Sequence, residues 1–241
     1  MKRRLALVAV TAVALSACQQ GAQSDQAFGE RVRAYLLAHP EVLEEASQQL
    51  QVNEDAKTQA AMKKAEAQIP ALRAAIERDP RDFVANPNGK ITVTEFYDYR
   101  CPHCMNMAPK LIALVRDHPD IRFVFKEMPI FGATSEHAAY AAMAVKKAGG
   151  DYLGLYQAFM TVQPLDDTAI DKIAIAHGAK AGDITPNATN TAQLAATDKL
   201  FRKLALDGTP GFVVGDRILS GEDMPALAAA IDAAHKAGST G

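Results

Sequence analysis

The chain has 241 residues, of which 49% are hydrophobic and 22% are charged, and its formal net charge is −2. This composition suits one ordinary folded domain with an appendage. The near-neutral balance gives no electrostatic basis for a nucleic-acid partner, so we expect none.

Residues 1–17 have the build of a lipoprotein signal peptide. A positive start, Lys2 to Arg4, precedes an apolar run from Leu5 to Leu15 that is too short to span a membrane. The following residues, Ser16-Ala17-Cys18, resemble the end of a bacterial lipobox, in which the cut falls before the cysteine. The alternative is an ordinary signal peptide with a chance cysteine. We expect Cys18 to be lipidated, residues 18–27 to be a tether, and the protein to be membrane-anchored on the periplasmic side.

Residues 28–85 show helical periodicity and are interpreted as an N-terminal helical stalk. Pro40 is expected to begin a second helix and Pro70 to break or kink a later one. The apolar stripe is thin, and a long helix with such a stripe is stabilised only by packing against another surface. That surface is either the main domain or another copy of the chain, and we favour a homo-oligomer.

Residues 86–241 are predicted to form an α/β domain. The turn signal Asn86-Pro87-Asn88-Gly89 marks its start, and Ile91 to Tyr97 alternates as a buried strand does. A helix is predicted from Pro102 to about Asp117, followed by a strand from Ile121 to Phe125. The order strand, helix, strand predicts a βαβ unit.

The second half of this domain is predicted to hold a helical insertion at about residues 134–206. After it come Gly208-Thr209-Pro210-Gly211, two short strands at residues 212–214 and 217–219, and a final helix from about residue 222 to 235.

Cys101 and Cys104 form a CPHC motif at the junction of the first predicted strand and helix. A structural zinc site takes four ligands, and no second cysteine pair exists, so we expect no metal site. Export places the pair in an oxidising compartment, but a two-residue spacing closes too small a loop to be a useful staple. A CxxC between a strand and a helix is typical of a redox centre.

The predicted chemistry assigns different roles to the two cysteines. Cys101 lies where the unpaired N–H groups and the dipole of the helix stabilise a thiolate, which is the nucleophile. Pro102 suits the first helical turn, and His103 can add positive charge or a hydrogen bond. Cys104 lies deeper and can resolve a mixed disulfide. The alternative is that both thiolates hold Cu(I), a soft ion.

The segment TEFYDYRCPHC, with the distant Gly208-Thr209-Pro210, resembles the DsbA family of thioredoxin-fold disulfide oxidoreductases. The resemblance covers about residues 88–238. It implies that Pro210 is a cis-proline facing the cysteines and that the backbone of Thr209 pairs with a substrate peptide. It also places Glu95 where relatives carry a buried acid, which would exchange a proton with Cys104.

Two further segments, AHPEVLEEA and KEMPIFGATSEHAA, resemble the ScsC-like branch of this family, which carries an N-terminal helical stalk. The resemblance implies an exported enzyme, without a cofactor, that forms or isomerises disulfides in periplasmic proteins. Its expected partners are unfolded or misoxidised exported proteins and a membrane redox partner, either DsbB-like or DsbD-like. We favour isomerisation because of the stalk.

Overall fold

The computed structural model describes residues 26–238, which divide into two compact units. The described residues up to Lys57 form the first unit, and the chain from Thr58 onward forms the second. The signal peptide, Cys18 and residues 18–25 of the tether lie outside the described residues. Between residues 26 and 238, no helix combines the length and the apolar character that a membrane span requires.

The first unit consists of helix α1, residues 26–38, and most of helix α2, Glu41–Glu66. Pro40 lies immediately before α2, as predicted, because proline is tolerated at a helix start. No residue between 26 and 57 is buried within the described chain. Seven large apolar side chains are exposed here: Phe28, Val32, Tyr35, Leu37, Leu43, Leu50 and Val52.

The second unit is built on a five-stranded sheet with the order β1-β3-β2-β4-β5. Only β2 and β3 run parallel, and the other neighbours are antiparallel. The strands are β1 (Phe83–Ala85), β2 (Ile91–Tyr97), β3 (Ile121–Glu127), β4 (Gly211–Val214) and β5 (Arg217–Ser220).

The boundary predicted at residue 86 is too late. Residues 58–85 belong to the second unit, because β1 pairs with β3 and because Ala65, Ile69 and Ile76 are buried in a core that includes Phe96. Helix α3, Ile69–Glu77, has Pro70 in its first turn, so the proline follows a break between two helices.

The helices of the second unit cover both faces of the sheet. Helix α4 (Pro102–Asp117) connects β2 to β3, as predicted, and α9 (Met224–Gly238) ends the described chain. The helical insertion between β3 and β4 contains α5 (Ala133–Lys147), α6 (Tyr152–Thr161), α7 (Asp167–Ala176), a short 3-10 helix (Ala181–Asp183) and α8 (Ala188–Lys203).

Alternation along β2 divides its side chains between two cores. Val93 and Tyr97 lie in the core that holds Cys101 and Cys104, whereas Phe96 lies in the core on the opposite face. Glu95, two residues from both Val93 and Tyr97, therefore points toward the cysteine side of the sheet.

Candidate active site

Cys101 is the N-cap residue of α4, and Cys104 lies in its first turn. The helix begins here because Pro102 occupies its first turn, where a missing N–H costs nothing. Both cysteines are free and buried, so the structure represents the reduced dithiol. This is the position that the sequence predicted for the pair.

Cys101 has the electrostatic surroundings of an activated thiol. A hydrogen bond from the Cys104 thiol lowers the pKa of Cys101 most. The adjacent Thr209 and the backbone N–H groups of His103 and Cys104 lower it further, to about 5, against the opposing effect of burial. Unpaired N–H groups at a helix start favour an anion. At neutral pH the sulfur of Cys101 is therefore a thiolate.

The pKa of Cys104 is shifted in the opposite direction, upward. Burial raises its pKa well above the ordinary value, and the hydrogen bond to Cys101 and the charge of Glu95 raise it further. Cys104 therefore stays protonated while Cys101 ionises. One hydrogen bond between the two sulfurs stabilises the anion on Cys101 and retains the proton on Cys104.

His103 lies at the surface beside the pair. Its Nδ1 is 3.3 Å from Oε1 of Glu222, and both side chains are substantially exposed. The backbone N–H of His103 contributes to stabilising the Cys101 thiolate. The contribution of its ring, which the sequence predicted, stays a prediction.

Thr209 and Pro210 lie directly against Cys101. The peptide bond between them is cis, as the family resemblance implied. The Sγ of Cys101 lies 3.1 Å from the carbonyl oxygen of Thr209, to which the thiol donates while it is protonated. The Pro210 carbonyl accepts from the backbone N–H of Gly221 at 2.8 Å, which ties this loop to the end of β5.

Glu95 lies within the protein beneath the pair and is only 1% exposed. Its oxygens accept from the Tyr156 hydroxyl at 3.2 and 3.3 Å. Burial raises the pKa of Glu95 to about 8; the Tyr156 bond opposes this, and the charges of Glu127 and Cys101 add to it. A carboxyl group with this pKa can take up or release a proton near neutral pH.

Sequence reasoning missed two polar features of the site. Asp98, buried at the end of β2, accepts from the backbone N–H groups of Ile130 at 2.6 Å and Phe131 at 3.0 Å, and so anchors the loop after β3. Glu127 lies buried among tyrosine hydroxyls. The Tyr97 hydroxyl donates to Glu127. The signal in the sequence was an acidic residue just after the end of each predicted strand.

Between residues 26 and 238, no three His, Cys, Asp or Glu side chains converge as a metal site requires. The fold and the site together define a thioredoxin-fold dithiol protein, with a CxxC at the start of the helix after the central strand and a cis-proline against it. Residues 92–232 match the DSBA-like thioredoxin domain family, and the chain belongs to that family. Residues 25–57 match the copper resistance protein ScsC N-terminal domain.

Solved structures and curated sequences agree with this assignment. A thioredoxin-like oxidoreductase from Silicibacter pomeroyi is 34% identical with a TM-score of 0.64, over 68% of this chain and 98% of that one. A linker-deletion mutant of Proteus mirabilis ScsC is 26% identical with a TM-score of 0.67, over 85% and 92%. The thiol:disulfide interchange protein DsbA of Bordetella parapertussis is 26% identical, over 60% of this chain and 75% of its own.

One further match covers only a short part of a much longer protein. The chain spans about a tenth of the length of the Na(+)/H(+) antiporter NhaA 3 of Salinispora tropica, with 36% identity over 72 residues. A match of this extent supports no proposal about ion transport.

Proposed function

We propose that this protein is an exported thiol–disulfide oxidoreductase that forms or isomerises disulfides through Cys101 and Cys104. The observation that carries the proposal is the position of the Cys101 sulfur, at the start of α4 and 3.1 Å from the carbonyl of Thr209 before cis-Pro210. A thiolate at this position can attack a disulfide, and the adjacent backbone offers an incoming peptide a hydrogen-bonding edge.

The oxidising reaction follows from the opposite pKa shifts. A substrate thiolate attacks Cys101 of the oxidised pair, the bond between Cys101 and Cys104 breaks, and Cys104 leaves and takes a proton from Glu95. A second substrate thiolate then attacks the mixed disulfide, and Cys101 leaves as a stable thiolate. In the reverse direction, Glu95 accepts the proton of Cys104 as Cys104 attacks the mixed disulfide.

An apolar surface beside the pair suits unfolded substrates. Ile130 and Phe131 are 42% and 47% exposed, and Asp98 holds their backbone in place. Exposed apolar side chains on a fixed loop can contact apolar segments of unfolded or misoxidised exported proteins, which folded proteins bury.

The decisive experiment is to trap the mixed disulfide. We expect Cys104→Ala to accumulate a covalent adduct with substrate proteins that carry scrambled disulfides. The Cys101 thiolate attacks a substrate disulfide, one substrate sulfur leaves as a thiol, and the mixed disulfide persists because the resolving thiol is absent. Cys101→Ser should form no adduct, and it serves as the matched control. Equal labelling of both variants, or none with either, would refute the proposal.

Isomerisation is the direction that we favour. The exposed apolar side chains of residues 26–57 support a homo-oligomer, in which several catalytic units could act on one substrate. Light scattering should give an oligomer for residues 19–241 and a monomer for residues 58–241. A DsbD-like reducing partner is then implied. If both forms are monomers, oxidation with a DsbB-like partner becomes the better proposal.

We place the protein on the periplasmic side of a membrane, attached by a lipid on Cys18. Support comes from the signal sequence and from a solved relative described as a periplasmic thioredoxin-like protein from Salmonella enterica. Mass spectrometry of the N-terminal peptide, with Cys18→Ser as the control, tests this assignment.

Cu(I) handling is the second candidate. It is supported by the match of residues 25–57 to a domain named for copper resistance and by two thiols in one helical turn. Titration of the reduced protein with Cu(I) should then saturate at a fixed stoichiometry that Cys101→Ser abolishes. Tight binding without disulfide exchange would favour this function over the first.

A further inference from the structure

Glu127, the last residue of β3, is a buried carboxylate that the reaction above does not use. One of its oxygens, Oε1, lies within hydrogen-bonding distance of three hydroxyls. Tyr152 donates to it at 2.5 Å, Tyr97 at 2.7 Å and Tyr99 at 3.1 Å. Three donors on one oxygen favour the ionised form of a carboxyl group.

The fold places Glu127 next to Glu95. In the parallel pairing of β2 and β3, Glu95 lies opposite Phe125, and Tyr97 lies opposite Glu127. The two glutamates are therefore diagonal neighbours on the same face of the sheet. Helix α6 supplies a hydrogen bond to each glutamate. Tyr152 donates to Glu127, and Tyr156, one turn later, donates to Glu95.

The groups that face the two acids come from every packed element. Around Glu127 lie Tyr97, Tyr99 and Asp98, from β2 and the loop after it, and Tyr152, from α6. Around Glu95 lie Tyr156, from α6, Cys101 and Cys104, at the start of α4, and Glu127, from β3. On β4 the residue opposite Glu95 is the apolar Phe212. Asp98 is the group whose repulsion opposes charge on Glu127, and three hydroxyl donors outweigh it.

We propose that Glu127 is a positioning residue that gives up the first proton of a buried acid pair as the pH rises and so delays the ionisation of Glu95. The inference rests on the proposed function, because a protonated Glu95 is the group that supplies Cys104 with a proton when Cys104 leaves the disulfide. Within residues 26–238, the side-chain hydrogen bonds of Glu127 come from the three tyrosine hydroxyls, so it acts on the sulfurs through Glu95.

The physical reason is that two neighbouring buried carboxyl groups do not both ionise readily. Burial raises the pKa of both acids to about 8. Glu127 has three hydroxyl donors, whereas Tyr156 is the one side-chain donor to Glu95 among the residues that the structure describes. The first ionisation of the pair therefore falls on Glu127, and its charge then raises the pKa of Glu95. Acid and base roles in many active sites are divided in this way.

The test is to titrate Glu95 directly in the reduced full-length protein, by carbon-13 NMR of the glutamate carboxyl groups, with Glu95→Gln used to assign the signal. In Glu127→Gln, which keeps a carbonyl acceptor for the tyrosines, the midpoint of Glu95 should fall by about one pH unit. Glu136→Gln makes the same chemical change at an exposed position on α5, and should leave the midpoint unchanged.

If Glu127→Gln does not fold, Tyr152→Phe is the variant to use, because it removes one of the three donors to Glu127. Glu127 then ionises less readily, and the titration midpoint of Glu95 should fall by a smaller amount. A midpoint that stays constant or rises in a folded variant overturns the inference, even if the variant melts earlier, since a purely structural role changes stability alone. The NMR titration needs no turnover. A shifted midpoint in a protein that traps no mixed disulfide would refute the proposed function and leave this inference standing.

Discussion

Replacement of Glu95 by glutamine should change how the stability of the oxidised protein depends on pH. Glu95 is 1% exposed, and its pKa is about 8 in the folded protein against an ordinary value of 4.5. Between these pH values the folded chain holds a proton that the unfolded chain releases. The free energy of unfolding therefore falls as pH rises through this window.

The magnitude follows from the two pKa values. Each pKa unit is worth about 1.36 kcal/mol, so a difference of about 3.5 gives an upper bound of roughly 5 kcal/mol for Glu95. The oxidised protein lacks the Cys101 charge that adds to this difference, so its value lies below the bound. Glutamine keeps an acceptor for the Tyr156 hydroxyl but does not titrate. Glu95→Gln should thus lose much less stability than the wild type between pH 4.5 and 8. Glu127 leaves a residual slope of the same sign in both proteins.

The assay is urea unfolding at a series of pH values, and the redox state decides what it reports. In the reduced protein the pKa of Cys101 is lowered to about 5. Above that pH the folded chain holds a thiolate that the unfolded chain still protonates, so the free energy of unfolding rises with pH. This gain opposes the loss from Glu95. In the oxidised protein neither thiol titrates, and the contribution of Glu95 is isolated. Parallel pH profiles for wild type and Glu95→Gln, both oxidised, would refute the reasoning.

Three further predictions concern the site and its scaffold. Cys104→Ala should raise the pKa of Cys101 above about 5, because the strongest donor is lost, as ultraviolet thiolate absorbance would detect. Lys126→Met leaves Asp82 buried without its ion-pair partner, and urea unfolding should show that the unfolding free energy falls by about 3–5 kcal/mol. Adding Asp82→Leu to the same chain should restore part of that free energy. Gly89→Ala places a Cβ against the backbone of Arg122 and should lower the unfolding free energy by about 1–3 kcal/mol, whereas Gly182→Ala meets no atom nearby and should not.

Local sequence signals predicted the parts of the fold that depend on local chemistry. The alternation from Ile91 to Tyr97 and the proline at position 102 are properties of neighbouring residues, and the strand and helix that they predict are present. The redox pair could be located for the same reason, since a CxxC between a strand and a helix is a local pattern.

The predicted end of the stalk, at residue 85, was wrong because the contacts that assign residues 58–85 to the second unit join residues far apart in the sequence. Strand β1 has only three residues, Phe83 to Ala85, too few to show a period of two. It is a strand because it pairs with the edge of β3. Likewise, the helical pattern of residues 58–77 does not indicate which surface its apolar side chains contact, and the structure packs Ile69 and Ile76 against Phe96.

The buried acid Glu127 shows the same limit at the level of a side chain. Lys126 and Glu127 are charged residues that ordinarily mark the exposed end of a strand, yet both are buried. Their partners, Asp82 and Tyr152, are 44 and 25 residues away in the chain. A single sequence does not pair residues at such distances, so neither the ion pair nor the acid cluster could be predicted.

The pKa shifts of Cys101 and Glu95 together favour one direction of the reaction. At pH 7, a thiol with a pKa of about 5 stabilises the reduced form by up to roughly 2.7 kcal/mol relative to an ordinary thiol, which corresponds to a disulfide more oxidising by about 60 mV. A carboxyl group with a pKa of about 8 is mostly protonated at that pH, and so Glu95 can supply the departing Cys104 with a proton. Both shifts favour passing the disulfide to a substrate. Isomerisation by the same pair would therefore require a partner that keeps it reduced against this tendency.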